Sequence, residues 1–191
     1  MTNDIRYAQD TSSWTDWQQA FRYGAFLLFP PPGTIEYLDD LRRRYDPESY
    51  ATCQAHVTLS APLRRRPTEH GLEHLRAAMR TVEPFTISFR NVHATPPYPG
   101  VVYEIDPRST LAALRSTVHS VSLFDSSVLN PHDVSPHMTI AEFVTLEESI
   151  ELAAELRGRV REGTWECTRI EYAVPDDAFR FQRVLEVALG P

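Results

Sequence analysis

The sequence predicts a mixed helix-and-strand fold made by duplication, with two lobes about one groove. Three observations predict it. The tetrads HVTL (56–59) and HMTI (137–140) repeat one pattern of histidine, apolar residue, threonine, apolar residue. A shift of 81 residues carries the first tetrad onto the second and continues without a gap through the following helix. Each half then reads strand, helix, His/Thr strand, helix, strand, a unit that makes a lobe rather than a turn of a solenoid.

Taken in order, residues 1–23 read as an N-terminal helical extension. SSWTDWQQAF carries a serine N-cap signal and sets Trp14, Trp17 and Phe21 at helical spacing. GAFLLF (24–29) is a compact strand stopped by the prolines at 30–32. The helix from Gly33 to Tyr45 puts Ile35, Leu38 and Leu41 on one face and ends before Asp46-Pro47. Residues 54–61 form the first His/Thr strand. A helix over about 68–82 carries Leu72, Leu75 and Met79, and 85–92 alternates as a strand.

The turn-rich HATPPYPG links to a strand at 101–105, and Pro107 opens a helix to about Ser122 through Leu111, Leu114 and Val118. A loop with Asn130-Pro131 and Ser135-Pro136 leads into the second His/Thr strand. A helix at 146–162 and strands at 164–174 and 181–189 close the chain. Under the 81-residue shift, Leu72, Leu75 and Met79 fall on Ala153, Leu156 and Val160, and Arg76 and Arg80 on Arg157 and Arg161. The expected division is one bilobal domain over 24–191, with halves at about 24–93 and 100–190.

Bulk properties narrow the function. A chain of 191 residues buries one substantial core. MTNDIRYAQD lacks the charged start and apolar run of a signal peptide, and no apolar stretch reaches membrane-spanning length. Two cysteines imply no disulfide framework, so the expected compartment is the reducing cytoplasm. The net charge of −7 argues against a surface for duplex DNA, but a local pocket can still take a small anion. All 19 basic residues are arginine. Without lysine there is no Walker phosphate loop, Schiff base or lysyl-nucleotide intermediate, which excludes ATP-dependent ligation through an enzyme adenylate.

On a strand, residues two apart share a face, so His56 pairs with Thr58 and His137 with Thr139. Pseudo-two-fold packing brings two imidazoles and two hydroxyls to one groove. Imidazole titrates near pH 6.5, so one histidine can take a proton from a nucleophile while the other gives one to a leaving oxygen. The hydroxyls can donate to phosphoryl oxygens. A strained cyclic phosphodiester suits such a site, because it needs only water, a base and an acid. No cofactor or metal is called for.

These features resemble the two-histidine (2H) phosphoesterase superfamily, in its bacterial branch of 2′,5′ RNA ligase-like proteins. The likeness covers about residues 24–190: GAFLLFPP, LRRRYDP, QAHVTLSAPL, SPHMTIAEF and the order of elements. It implies an α+β fold, bilobal and pseudo-two-fold, of antiparallel sheets with helices outside and the tetrads in a central cleft. It implies action on 2′,3′-cyclic phosphates or 2′,5′-linked nucleotides, with a nucleotide or RNA end as partner and a monomeric, membrane-free protein. Carried over, His56 and His137 are the catalytic acid/base pair and Thr58 and Thr139 hold the phosphate. Some members carry an aromatic or basic residue soon after a tetrad; this chain has Ala61 and Pro62, and Glu142 and Phe143.

Other motifs weigh less. HGLEH (70–74) matches an inverzincin pattern, yet Gly71 weakens its helix and a solvated face explains it better. His132 and Asp133 beside His137 suggest a metal cluster, but read better as a loop at the entrance to the tetrad. Cys53, three before His56, suggests a thiol nucleophile, but odd spacing on a strand turns it to the opposite face. The runs Arg42–Arg44 and Arg64–Arg66 read as solvated faces. Tyr98, Tyr103 and Tyr172 are candidates to stack on a base, Tyr172 first because it lies in the repeat strand of the second half. A nucleotide or RNA-end sensor with little turnover is the alternative function.

Overall fold

The computed structural model describes residues 5–124 and 135–191. Asn130-Pro131, His132 and Asp133 lie outside the described residues. The elements are α1 (Asp16–Ala20), β1 (Ala25–Leu28), α2 (Pro32–Tyr45), α3 (Pro47–Thr52), β2 (Val57–Thr58), α4 (Glu69–Met79) and β3 (Phe85–Ala94). They continue with β4 (Val101–Asp106), α5 (Arg108–His119), β5 (His137–Ala141), α6 (Leu146–Leu156), β6 (Gly163–Cys167), β7 (Arg169–Pro175) and β8 (Phe181–Ala188).

Helix ends follow local chemistry. Pro32 opens α2, where no backbone N–H is needed, and Arg42, Arg43 and Arg44 crowd its last turn against the negative end of the dipole. Asp46 then closes α2 and caps α3, accepting from Ser49 N at 3.0 Å, with Pro47 in the first turn. Thr68 caps α4, and Thr145 with Glu148 makes a capping box on α6. The helix expected over 146–162 stops at Leu156, and Gly158 follows with φ +71°, a backbone state open to glycine. Among the described residues of the extension only 16–20 is α-helical. Gln9 and Trp14 fasten it to the β7–β8 turn, where Gln9 N and the Trp14 indole donate to the Asp177 side chain and carbonyl at 2.6 and 3.0 Å. Gly24 ends the extension at φ +73°, and a Cβ there would sit 2.1 Å from the Ala173 carbonyl oxygen.

Among the described residues the strands form one curled antiparallel sheet in the order β6-β3-β4-β5-β2-β1-β7-β8. The two sides of this sheet exchange strands between the halves of the chain. β3, from the first half of the chain, joins β4, β5 and β6, whereas β7 and β8 join β1 and β2. The strand expected at 164–174 is two strands that part at Thr168 for opposite sides of the sheet, β6 onto β3 and β7 onto β1. The duplication survives in symmetry, not in segregation.

One apolar cluster joins Phe26, Leu28, Val57 and Met138 to Leu38 of α2, Leu75 of α4, Leu114 of α5 and Leu156 of α6. A second, smaller one gathers Ala25, Leu27, Phe29, Ile35, Cys53 and Ala173. The alternation of β1 between the two clusters shows that each face of its part of the sheet is covered.

Candidate active site

β2 and β5 are the central pair, with Val57 opposite Met138. Both of these are buried in the main core, at 1% and 0% exposure. Their neighbours therefore point to the other face, and continuing the antiparallel register by one residue sets Thr58 opposite His137 and His56 opposite Thr139. All four are half-buried. The pseudo-two-fold axis passes between Val57 and Met138, so each histidine neighbours the other tetrad's threonine.

Both imidazoles are held alike. His56 Nδ1 lies 2.7 Å from the Gln54 carbonyl and His137 Nδ1 lies 2.9 Å from the Ser135 carbonyl. A carbonyl only accepts, so each Nδ1 carries its proton and donates. Nε2 is thereby left for chemistry on both rings. Gln54 and Ser135 are themselves related by the 81-residue shift.

The surroundings are less symmetric. A cleft of about 570 Å³, counting the part open to solvent, is lined by His56, Thr58, Leu27, Arg42, Ser49, Cys53 and Glu142, and walled by Trp17, Phe21, Phe179 and Phe181. Although an edge of His56 reaches water, its ring is enclosed; loss of hydration, with the charges of Arg42 and His137, pushes its pKa down to about 4 against the Gln54 bond. Phe29 stands 5.9 Å from this imidazole, centroid to centroid.

The first tetrad is clamped from both sides. Asp39 Oδ1 accepts from Ala55 N at 2.9 Å and from Arg42 Nη1 at 3.1 Å. Arg42 also donates to the carbonyls of Cys53 and Ser49 at 2.6 and 2.7 Å. From α5, Arg115 donates to the carbonyls of Thr58 and Leu59 at 2.8 and 2.9 Å. The second tetrad's end is held by Asp46 Oδ2, which accepts from Glu142 N and Phe143 N at 2.7 and 3.0 Å. The Glu142 residue is exposed at the rim, but its carboxyl faces the cleft, where lost hydration raises its pKa against the Ser49 hydrogen bond. Beyond β5, Glu104 lies opposite His137 and Val102 opposite Thr139.

His56, Thr58, His137 and Thr139 are thus brought together as expected, and three other expectations are corrected. Tyr172 is fully buried, its ring 5.1 Å from Phe26 and its hydroxyl donating to the Tyr23 carbonyl, so it has no face for a base. Its place in the repeat strand is a core place. Tyr103 is buried too, donating to the Arg161 carbonyl at 3.0 Å, while Tyr98 is 75% exposed outside the residues lining the cleft. Cys53 closes α3 rather than extending β2, so it lines the cleft on the side of His56; burial pushes its thiol up to about 12 and keeps it protonated. Arg42 is buried at 3% exposure, not solvated. The signal was available, because Ile35, Leu38 and Arg42 follow one helical stripe. His70 and His74 sit exposed on α4, 4.1 Å apart by ring centroid.

The sequence model of the 2'-5' RNA ligase superfamily matches residues 30–178. Among solved structures, E. coli LigT complexed with NADP+ is similar over 87% of this chain and 96% of its own, with a TM-score of 0.56 at 17% identity. E. coli LigT complexed with 3'-AMP matches over 87% and 97%, with a TM-score of 0.54 at 17% identity. The Thermus thermophilus protein TT0787 matches over 86% and 96%, with a TM-score of 0.52 at 15% identity. No curated protein matches the sequence. Among the described residues, no helix is long and apolar enough to cross a membrane.

Proposed function

Since the chain belongs to the 2'-5' RNA ligase superfamily of 2H phosphoesterases, we propose that it hydrolyses a cyclic nucleotide phosphodiester, the 2′,3′-cyclic phosphate of a nucleotide or RNA end, without a metal ion. The observation that carries this reading is the pair of imidazoles on one sheet face, each with Nδ1 donating to a backbone carbonyl. E. coli LigT, whose fold this chain shares, is recorded with 3'-AMP and with NADP+.

His56 is the base, because enclosure and the Arg42 charge favour its neutral form. Its Nε2 takes a proton from water as the water oxygen bonds to phosphorus. The bond from phosphorus to one ribose oxygen breaks, and His137, protonated on both nitrogens, gives its Nε2 proton to that oxygen. Thr58 and Thr139 donate to the non-bridging oxygens, where charge gathers in the transition state. The His56 proton returns to solvent and His137 regains one. With the 5′-hydroxyl of a second RNA end in place of water, the same transfers join a 2′,5′ bond as a minor activity: His56 takes the hydroxyl proton, its oxygen bonds to phosphorus, and the 3′ oxygen leaves with the proton from His137.

The test is a panel of 2′,3′-cyclic mononucleotides, cyclic-phosphate-ended RNA and 2′,5′-oligonucleotides, assayed with wild type, His56→Ala and His137→Ala. Cleavage by wild type alone, unchanged by EDTA, is the expected result. If wild type cleaves none of them, the cleft is a binding sensor. Activity lost to EDTA and retained in His56→Ala would overturn the mechanism.

A further inference from the structure

The cleft has an aromatic wall that the acid/base chemistry does not use. Trp17 lines it, and Phe143 stands next to Trp17 and follows the lining residue Glu142; the two rings are 48% and 39% exposed, although both are large and apolar. Their centroids are 6.4 Å apart and their planes 36° from one another. The tilted rings touch at their edges rather than stacking face to face, and a flat ring between two others needs about 7 Å, two contacts of roughly 3.5 Å each. A small turn of either side chain opens that gap.

Both walls are built rather than loose. Trp17 meets Phe179 edge-to-face at 5.1 Å and Phe21 at 6.3 Å, so its indole is braced from the side. The segment bearing it is fastened by Trp14, which packs on Phe179 at 5.0 Å and bonds the Asp177 carbonyl. Thr15 and Gln18 make a capping box at the start of α1. Phe143 is held at its backbone N–H by the buried carboxylate of Asp46. Trp17 lines the same cleft as His56 and Thr58.

We propose that Trp17 and Phe143 form a slot for the nucleobase of a nucleotide whose phosphate lies against the two histidines, with purines held more tightly than pyrimidines. The proposal rests on reading this cleft as a nucleotide phosphoester site. Every base has a π-face, so the slot confers affinity with modest base preference, and the larger purine covers more of the indole. Trp17 precedes the residues that match the family, which begin at 30. The slot thus makes the N-terminal extension part of the substrate site.

The experiment measures binding of adenosine 3′-monophosphate and of ribose 5-phosphate to wild type, Trp17→Ala and Trp17→Phe by calorimetry, with tryptophan fluorescence in parallel. Trp17 is the exposed one of three tryptophans; Trp14 and Trp165 are buried. The nucleotide should quench wild-type fluorescence and leave that of Trp17→Phe unchanged. Trp17→Ala should weaken nucleotide binding by roughly 5- to 100-fold, and Trp17→Phe by no more than ~3-fold because it keeps a ring. Ribose 5-phosphate, which has no base, should not tell Trp17→Ala from wild type. Nucleotide affinity equal in Trp17→Ala and wild type overturns the slot, as does failure of wild type to bind the nucleotide. Turnover of a 2′,3′-cyclic nucleotide with unchanged affinity in Trp17→Ala sinks the slot and leaves the hydrolysis reading standing. Nucleotide bound through Trp17 without any turnover does the reverse.

Discussion

The rings of His56 and His137 are aimed by equivalent bonds: Nδ1 of His56 meets the Gln54 carbonyl at 2.7 Å, and Nδ1 of His137 meets the Ser135 carbonyl at 2.9 Å. In each case the acceptor is the backbone two residues upstream. The strand pair carries this arrangement across its pseudo-two-fold axis, so two separate stretches of chain present Nε2 to one face. The symmetry ends at the ring environments. His56 is walled by Arg42, Phe29 and the cleft, whereas His137 stands beside Glu104 across the β4–β5 register.

Removing either imidazole should cost ~10²–10⁴-fold in kcat/KM on a 2′,3′-cyclic nucleotide. The double variant His56→Ala/His137→Ala should be little worse than either single one, because acid and base act in one step. Steady-state kinetics with the three variants checks this. Fully multiplicative losses would contradict a concerted pair.

Thr58→Val and Thr139→Val should each lower kcat by about 10²- to 10³-fold, the range for losing a donor to transition-state charge. Thr58→Ser and Thr139→Ser should keep most activity, since the hydroxyl remains. Equal loss in the serine and valine variants would assign the threonines a packing role.

The acid limb of the pH profile should lie unusually low. His56 titrates at about 4 in the folded protein, against ~6.5 for a free imidazole, so kcat/KM should hold through pH 6 and fall as pH 4 is approached. The sign for stability follows from the same shift. Between those two pH values the unfolded chain binds the proton that folded His56 refuses, so stability falls as pH drops through the window. Urea unfolding at pH 7 and pH 4.5 should show a smaller loss for His56→Gln than for wild type.

Asp46→Ala should destabilise the fold by about 2–4 kcal/mol, a lost helix cap together with unpaired N–H groups. The carboxylate serves Ser49 N through one oxygen and Glu142 N and Phe143 N through the other. Asp46→Asn keeps one oxygen acceptor and should lose less than half as much. Chemical denaturation of both variants decides it.

Tyr172→Phe should cost about 1 kcal/mol through the bond to the Tyr23 carbonyl, with KM for the nucleotide unchanged. A raised KM at unchanged stability would restore Tyr172 to the substrate site.

Much of the site was legible because it is written locally. Alternation along a strand puts His56 with Thr58 and His137 with Thr139 whatever their partners, and the 81-residue shift marks the two tetrads as equivalent. What the sequence could not express was pairing between distant segments. Nothing within 163–175 says that its two parts diverge at Thr168, because that is settled by the partners β3 and β1. Tyr172 reads as a candidate by position in the repeat, and only the packing of β1 against β7 encloses it beside Phe26. Cys53 changes face because α3 ends at Thr52, which breaks the strand periodicity that was carried back from His56. Trp17 shows helical spacing in the sequence, but its meeting with Phe143 joins residues more than a hundred positions apart. The sequence by itself determined the two His/Thr pairs and their equivalence, since alternation and periodicity are short-range. The tertiary structure alone decided which other side chains share their cleft, since that depends on strand register and on where the N-terminal segment docks.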